Sequence, residues 1–305
     1  RMFNEYLPPY KAAADAGAGS FMASFNEVDG IPATGNRFLL TDVLRKRWGF
    51  KGFVVTDYTG INEMMAHGMG DLQTVSALAL KAGIQMDMVG EGFLTTLKQS
   101  LDQKKITLPE IDNACRLILE AKYKLGLFAD PYRYCQEDRY NKDVYTPAHI
   151  QAARRIAAES FVLLKNQDNL LPLKKTGKIA LIGPLADTKA NMVGTWAVAT
   201  DFNLAITVKQ GLEEALGSNG TVLYAKGSNL MDDAAYEDRA TMFNRSMNRD
   251  NRSAEELLNE ALEKAKQSDV IVAALGESSE MSGESSSRTD LNIPDAQRRL
   301  LEALL

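Results

Sequence analysis

The feature that most constrains the fold is a regular alternation of short apolar runs with amphipathic stretches between Gly19 and Val89. The apolar runs have the length of strands, and the amphipathic stretches have the period of helices. The predicted strands are Ser20–Phe25, Phe53–Thr56 and Ile84–Val89, and the predicted helices are Phe38–Trp48 and Leu72–Ala82. Such alternation is typical of a parallel sheet covered by helices, so the sequence predicts an α/β fold.

A second block of the same alternation follows in the C-terminal half of the chain. Its predicted strands are Ile179–Ile182, Val222–Ala225 and Val270–Leu275. Between the blocks, Asp130–Tyr145 is polar, rich in Tyr and Arg, and without a convincing period, which is typical of a linker. Because 305 residues are enough for two cores, we expect two domains, over residues 1–128 and 149–305, with a linker over 129–148.

Composition and charge argue against several classes of function. The formal net charge is −5, and Lys and Arg are not clustered, so a nucleic acid is not an expected partner. No apolar run approaches the ~20 residues of a membrane-spanning helix, so no span is expected. The two histidines, His67 and His149, have no second ligand at a suitable spacing, so no metal site is expected.

Asp57 is the first candidate for a functional residue, because it directly follows the predicted strand Phe53–Thr56. The polar loops after the first two strands, Asn26–Asn36 and Asp57–Gly70, are longer than a plain connection requires. In a parallel α/β fold, sites are built at the carboxyl ends of the strands. Position alone leaves two roles open: a carboxylate of a site, or a residue that caps the following loop.

The segment Lys51–Tyr58, with the sequence KGFVVTDY, resembles the signature of glycoside hydrolase family 3, in which the aspartate attacks the anomeric carbon. Further segments resemble the family in order and at sensible spacing along the whole chain. They are Gly19–Asn26, Asp29–Pro32, Ala82–Met88, Glu159–Asn166, Leu170–Leu173 and Ile179–Ala186. Within the family, the chain most resembles the periplasmic β-glucosidases of Gram-negative bacteria.

The resemblance implies a fold and an activity. The expected fold is the C-terminal part of a (β/α)8 barrel, with its last three strands, followed by an incomplete α/β sandwich domain. The expected activity is that of a retaining β-glycosidase, a β-D-glucosidase that hydrolyses terminal non-reducing β-linked glucose by double displacement. Its partner would be an oligosaccharide or β-glucoside substrate, it would need no cofactor, and it would be periplasmic or secreted.

The resemblance also assigns roles to two carboxylates. Asp57 is the expected nucleophile. The loop Gly276–Arg288 contains three glutamates, and its composition alone would suit a solvated surface loop. By resemblance, Glu284 is the expected general acid/base, with Glu280 as the second choice, whereas Glu277 is expected to support the loop.

Three aromatic residues are expected to bind substrate: Phe25, Tyr58 and Trp196. Many family members carry Tyr where this chain has Phe25, so the hydroxyl that would bond the nucleophile is missing. Phe25 either lines the sugar pocket or packs inside the barrel. Trp196 lies in a loop after a predicted strand and could stack on a sugar, whereas Trp48, on a helix, is expected to pack against the core.

Two other hypotheses about the function remain open. One is a β-xylosidase or another exo-β-glycosidase of the same family, and the other is a non-catalytic carbohydrate-binding module on this fold. The chain begins and ends inside helical patterns. It is therefore expected to be an internal fragment whose missing barrel strands come from the remainder of the same polypeptide.

Overall fold

The structure is a computed structural model that describes residues 1–197, 200–239, 248–283 and 286–305. The chain divides into two compact units, Arg1–Phe161 and Val162–Leu305. Each unit combines parallel strands with helices, so the predicted α/β class is confirmed.

The first unit contains two short sheets. In one, β1 (Ser20–Ala23) and β4 (Phe53–Thr56) are parallel neighbours, with Ala23 opposite Thr56. In the other, β2 (Glu27–Val28) and β3 (Ile31–Pro32) form an antiparallel hairpin in the loop after β1. The helices of this unit are α1 (Leu7–Asp15), α2 (Gly60–Ala66), α3 (Leu72–Ala82), α4 (Gly92–Asp102), α5 (Leu108–Lys124), α6 (Arg139–Asp143) and α7 (Pro147–Glu159), together with π-helical segments over Met2–Tyr6 and Phe38–Arg47.

Local signals set the bounds of α3. Its N-cap residue Asp71 accepts a hydrogen bond from the Thr74 N–H at 2.9 Å, and Gly83 ends it with a φ of 120°. A positive φ is far less costly for glycine than for other residues. The helix therefore has the bounds that the sequence predicted.

The core of the first unit lies between β4 and the helices that follow it. Val54, Ile61, Met64, Val75 and Ile84 are each 0% exposed and belong to one apolar cluster. Trp48 packs against this cluster, which confirms its predicted packing role. Burial of these side chains holds β4 against α2 and α3, and thereby fixes the position of the residue that follows β4.

The predicted strand Ile84–Val89 is wrong, because only one parallel bridge, between Met86 and Val55, forms there. The Gln85 side chain explains the difference. Its Oε1 accepts the Val54 N–H at 2.8 Å, while the Gln85 and Met86 N–H groups both donate to the Val54 carbonyl. The segment is thus bonded to β4 but cannot form a regular ladder.

The second unit contains a three-stranded parallel sheet. Its strands are β5 (Gly177–Ile182), β6 (Gly220–Ala225) and β7 (Val270–Ala273), in the order β6–β5–β7. Its helices are α8 (Lys189–Met192), α9 (Val208–Leu216), α10 (Ala234–Arg239), α11 (Ala254–Lys266) and α12 (Asp295–Leu304). Ala180, Ile182 and Ala225 of the sheet form a buried cluster with Ala261 and Leu300. The three predicted strands are confirmed.

Within the described ranges, none of the helices is both long enough and apolar enough to cross a bilayer.

Candidate active site

Asp57 lies at the carboxyl end of β4, where backbone bonds of Asp57 and of the preceding Thr56 reach the two neighbours of that strand. Its N–H donates to the Ala23 carbonyl of β1 at 3.1 Å. The preceding Thr56 is 0% exposed, and its N–H donates to the Met86 carbonyl at 3.0 Å. The Thr56 hydroxyl accepts the Met88 N–H at 2.8 Å. The aspartate thus follows a residue that is bonded through both its backbone and its side chain.

The carboxylate of Asp57 is partly exposed and accepts a hydrogen bond from its own neighbour. The Tyr58 N–H donates to Asp57 Oδ1 at 2.7 Å. Phe25 has no hydroxyl to offer, so this backbone donor supplies a bond that orients the carboxylate. The N-cap residue of α2 is Thr59, so Asp57 lies outside that helix.

The turn after Asp57 has an unusual backbone. Thr59 has a φ of 55°, which is uncommon for a residue other than glycine, and its N–H donates to the Met88 carbonyl at 2.9 Å. This bond stabilises the turn. The side chain of Tyr58 is 60% exposed and stays accessible at the same edge.

Phe25 is partly buried and follows β1 by two residues, at the same sheet edge as Asp57. The hairpin after it is connected to the end of α2 through an interaction of Glu27 Oε1 with His67 Nδ1 at 2.6 Å. Strand β1 and strand β4 therefore bring Phe25, Asp57 and Tyr58 to one edge.

The second group of expected site residues belongs to the loop Gly276–Arg288 after β7. Glu284, with Ser285, lies outside the described residues. At the start of the loop, Gln297 of α12 accepts the Gly276 N–H and donates to the Gly276 carbonyl, both at 2.8 Å. Gln297 Nε2 also donates to the Leu230 carbonyl at 3.0 Å, and the residue is 0% exposed.

The other two glutamates of the loop occupy different environments. Glu277 forms an ion pair with Arg288, which connects the two ends of the loop and agrees with the expected supporting role. Arg288 also donates to the Asn292 carbonyl at 2.9 Å. Glu280 lies in a 3-10 turn, Ser279–Met281, and is only 5% exposed.

Trp196 lies in the segment after β5, and its side chain is 57% exposed. A methyl group placed on Gly283 would stand 3.6 Å from Trp196 Cζ2, so the indole adjoins the residue before Glu284. Thr195, beside the tryptophan, donates its hydroxyl to the Ser282 carbonyl at 2.9 Å.

Sequence reasoning missed three residues that hold the loop: Gln297, Thr195, and Asn191, whose Oδ1 accepts the Ser279 N–H. A signal existed for Gln297, because it falls on the apolar face of α12 beside Ala296 and one turn before Leu300. A polar side chain on a buried helix face usually has specific hydrogen-bond partners. Among the residues that the structure describes, no group of three His, Cys, Asp or Glu could hold a metal ion.

Comparison with known proteins gives matches over both units. Residues 1–121 match the glycosyl hydrolase family 3 N terminal domain, and residues 161–305 match the glycosyl hydrolase family 3 C-terminal domain. The periplasmic β-glucosidase of Salmonella typhimurium is 42% identical over the whole chain, which covers 40% of that protein. The β-xylosidase of Formosa agariphila is 33% identical over the whole chain, which covers 41% of that protein.

A solved structure shows the same likeness. The β-glucosidase from Listeria innocua in complex with glucose has a TM-score of 0.81 and 33% identity, over 99% of this chain and 39% of that one. The chain therefore spans about two fifths of the length of the relatives it matches.

Proposed function

The chain belongs to glycoside hydrolase family 3, and from that premise we propose that the complete protein is a retaining β-glycosidase that removes terminal, non-reducing β-linked glucose. The observation that carries the proposal is Asp57, a partly exposed carboxylate fixed at the carboxyl end of β4. The substrate would be an oligosaccharide or a β-glucoside, as the name of the Salmonella relative supports.

The proposed architecture follows that of the family. Residues 1–128 would form the C-terminal part of a (β/α)8 barrel, 129–148 a linker, and 149–305 a truncated α/β sandwich domain. The parallel pair of β1 and β4, with Met86 bridged to β4, supports the barrel, since successive barrel strands are parallel neighbours. The remaining barrel strands would come from the rest of the same polypeptide.

In the proposed reaction, the Asp57 carboxylate attacks the anomeric carbon while Glu284 gives its proton to the leaving glycosidic oxygen. The bond to the aglycone breaks as the glycosyl ester on Asp57 forms. Glu284, now a carboxylate, removes a proton from water, whose oxygen attacks the same carbon and releases Asp57. Two displacements retain the configuration, and retaining enzymes hold these carboxyl groups about 5–5.5 Å apart. Two carboxylates and water suffice for this chemistry, so no cofactor is included.

The choice of Glu284 as the acid rests on the resemblance to the family. Of the other two glutamates, Glu280 is buried in a turn and lacks the accessible side chain that proton donation to a sugar requires, whereas Glu277 is exposed but paired with Arg288. Phe25, Tyr58 and Trp196 would contact the substrate. The exposed rings of Tyr58 and Trp196 offer the apolar surface on which sugars pack, and Phe25 lies at the edge of Asp57.

A β-xylosidase is the second candidate function, and the likeness to the Formosa β-xylosidase supports it. Turnover of aryl β-xylosides above that of aryl β-glucosides would favour it. A non-catalytic module would turn over neither substrate. The name of the Salmonella relative supports a periplasmic or secreted location for the complete protein.

We expect Asp57→Asn in the complete protein to lower kcat for an aryl β-glucoside at least ~1,000-fold, because the nucleophile is removed. Asp102→Asn is the matched control, since Asp102 is an exposed residue at the end of α4 that pairs only with Lys98 among the ion pairs described. A 2-deoxy-2-fluoro glucoside should label Asp57 in the parent protein, as read by peptide mass. A label on another carboxylate, with Asp57 unmodified, would overturn the assignment.

A further inference from the structure

The segment from Thr188 to Trp196, which follows β5, holds the loop that contains the proposed acid. Asn191 Oδ1 accepts the Ser279 N–H at 2.8 Å. The amide of Asn191 is itself oriented, because its Nδ2 donates to the Thr188 hydroxyl at 3.0 Å. Two residues 88 positions apart in sequence are thereby joined.

Thr195 makes the second connection, and it reaches two carbonyl groups. Its hydroxyl donates to the carbonyls of both Ser279 and Ser282 in a three-centre arrangement. Thr195 is only 9% exposed, so little water competes for its proton. Ser279 begins the 3-10 turn and Ser282 follows it, so one hydroxyl fixes both sides of this turn.

Gly283, the residue that precedes Glu284, lies against the same threonine. Its φ is 122°, a conformation that residues with a side chain rarely adopt. A Cβ there would stand 2.8 Å from Thr195 Cγ2, which is closer than atoms pack. The backbone therefore passes over Thr195 just before it reaches Glu284.

The other flank of Glu284 is attached to the same turn. The Ser286 hydroxyl donates to the Glu280 carbonyl at 3.5 Å, and Arg288 pairs with Glu277. Before residues 284–285, the Ser282 carbonyl is thus bonded to Thr195, and after them the Ser286 side chain is bonded to the turn Ser279–Met281, whose first residue contacts both Thr195 and Asn191. The hydroxyl of Thr195 is the one side-chain group among these that touches the turn at two points.

We propose that Thr195 is a positioning residue whose hydroxyl fixes the turn Ser279–Met281 and the Ser282 carbonyl ahead of Glu284, and so supports proton donation by that residue to the glycosidic oxygen. The inference rests on the proposed function, and on Glu284 as its acid. It also links proton donation to substrate contact, because Trp196 is the next residue and its ring adjoins Gly283.

The effect of removing the hydroxyl follows from how much the acid contributes. A positioned general acid is worth about 10²- to 10⁴-fold, and a misplacement of about 1 Å can cost ~100-fold. Thr195→Val keeps the shape and removes the donor. We expect kcat/KM for cellobiose, whose leaving group needs a proton, to fall about tenfold. Hydrolysis of 2,4-dinitrophenyl β-glucoside, whose leaving group departs unprotonated, should change less than about twofold.

The experiment compares these two substrates on variants of the complete protein. Thr195→Ser keeps the hydroxyl and should restore the parent ratio of the two rates. Lys189→Met is the control in the same segment: it removes a hydrogen bond to the Asn203 carbonyl and, among the hydrogen bonds described, none to the acid loop, so it should also keep the parent ratio. Asn191→Leu, which removes the acceptor of the Ser279 N–H, is the second variant in case Thr195→Val does not fold, and it should change the ratio in the same direction.

The outcomes separate this inference from the proposed function. Equal losses on both substrates in Thr195→Val and Asn191→Leu would mean a general structural role and would overturn the positioning role. The positioning role would also be overturned if the ratio of the two rates in Thr195→Val equalled that of the parent, or if the ratio changed in Thr195→Ser. Neither result would affect the proposed function, which fails only if Asp57→Asn keeps its turnover or the fluoro sugar labels a different residue.

Discussion

Gln297 offers a prediction whose size can be worked out from its contacts. The change Gln297→Met keeps the length and volume of a side chain that is 0% exposed and removes both of its polar atoms. Three backbone groups then lose their partner: the N–H and the carbonyl of Gly276, and the carbonyl of Leu230. Methionine can fill the space but cannot bond to any of them.

The magnitude depends on how much water can reach each group. The bond to the Leu230 carbonyl is buried, so its loss should cost about 1–2 kcal/mol, within the range for an unsatisfied buried group. The two Gly276 groups are partly buried and should cost about 0.5–1 kcal/mol each. The free energy of unfolding should therefore fall by about 3 kcal/mol. In a unit of this size that lowers the unfolding midpoint by about 6–12 °C.

The assay is thermal unfolding of the complete protein by scanning calorimetry, read at the transition of the second unit. Gln267→Met is the matched control, because Gln267 is an exposed residue at the C-cap of α11. The control should unfold within about 1 °C of the parent, since surface substitutions of this kind have small effects. If Gln297→Met also unfolds within about 1 °C of the control, the three bonds do not stabilise the unit, and the reasoning is refuted.

Two further predictions concern charge. Glu284→Gln should slow the hydrolysis of cellobiose at least ~100-fold and that of 2,4-dinitrophenyl β-glucoside far less. Azide should restore turnover of the activated substrate. If Glu280→Gln gives this pattern and Glu284→Gln does not, the acid is Glu280. Hydrogen bonds from Arg252 lower the pKa of Asp250 from 3.8 to about 2. The ionised carboxylate therefore stabilises the fold at a pH above 3.8, the pKa of the unfolded chain, and this contribution is lost as the pH falls towards 2. Asp250→Asn should accordingly unfold at a lower urea concentration than the parent at pH 7, and this difference in the urea midpoint should shrink between pH 4 and pH 2. A difference that stays constant over that range would contradict the cause given for the lowered pKa.

Features that depend on local sequence could be predicted. Asp71 and Gly83 mark the two ends of α3, and a capping residue or a left-handed glycine acts within one helical turn. The position of Asp57 followed from the apolar run that precedes it, because strand alternation places the next residue at a sheet edge.

Features that depend on distant partners could not be predicted. The segment at Ile84–Val89 has the pattern of a strand, but the Gln85 side chain bonds to Val54, 31 residues away, and disturbs the ladder. Thr195 and Ser282 are 87 residues apart, and Gln297 and Leu230 are 67 apart. Periodicity reports which face of an element is buried, but it does not report which group lies opposite a hydroxyl or an amide.

The bonding around Asp57 has a consequence for the energetics of each turnover. In the proposed reaction, the carboxylate loses its negative charge when the ester forms and regains it when water releases the sugar. Mobile dipoles would have to reorient at both steps, as water molecules do around an ion in solution. The Tyr58 N–H that faces Asp57 Oδ1 cannot turn away, because Asp57 and Thr59 on either side of it are bonded to Ala23 and Met88. The energy needed to orient that dipole is thus supplied once, when the protein folds, and the electrostatic field at the carboxylate is established before the substrate binds.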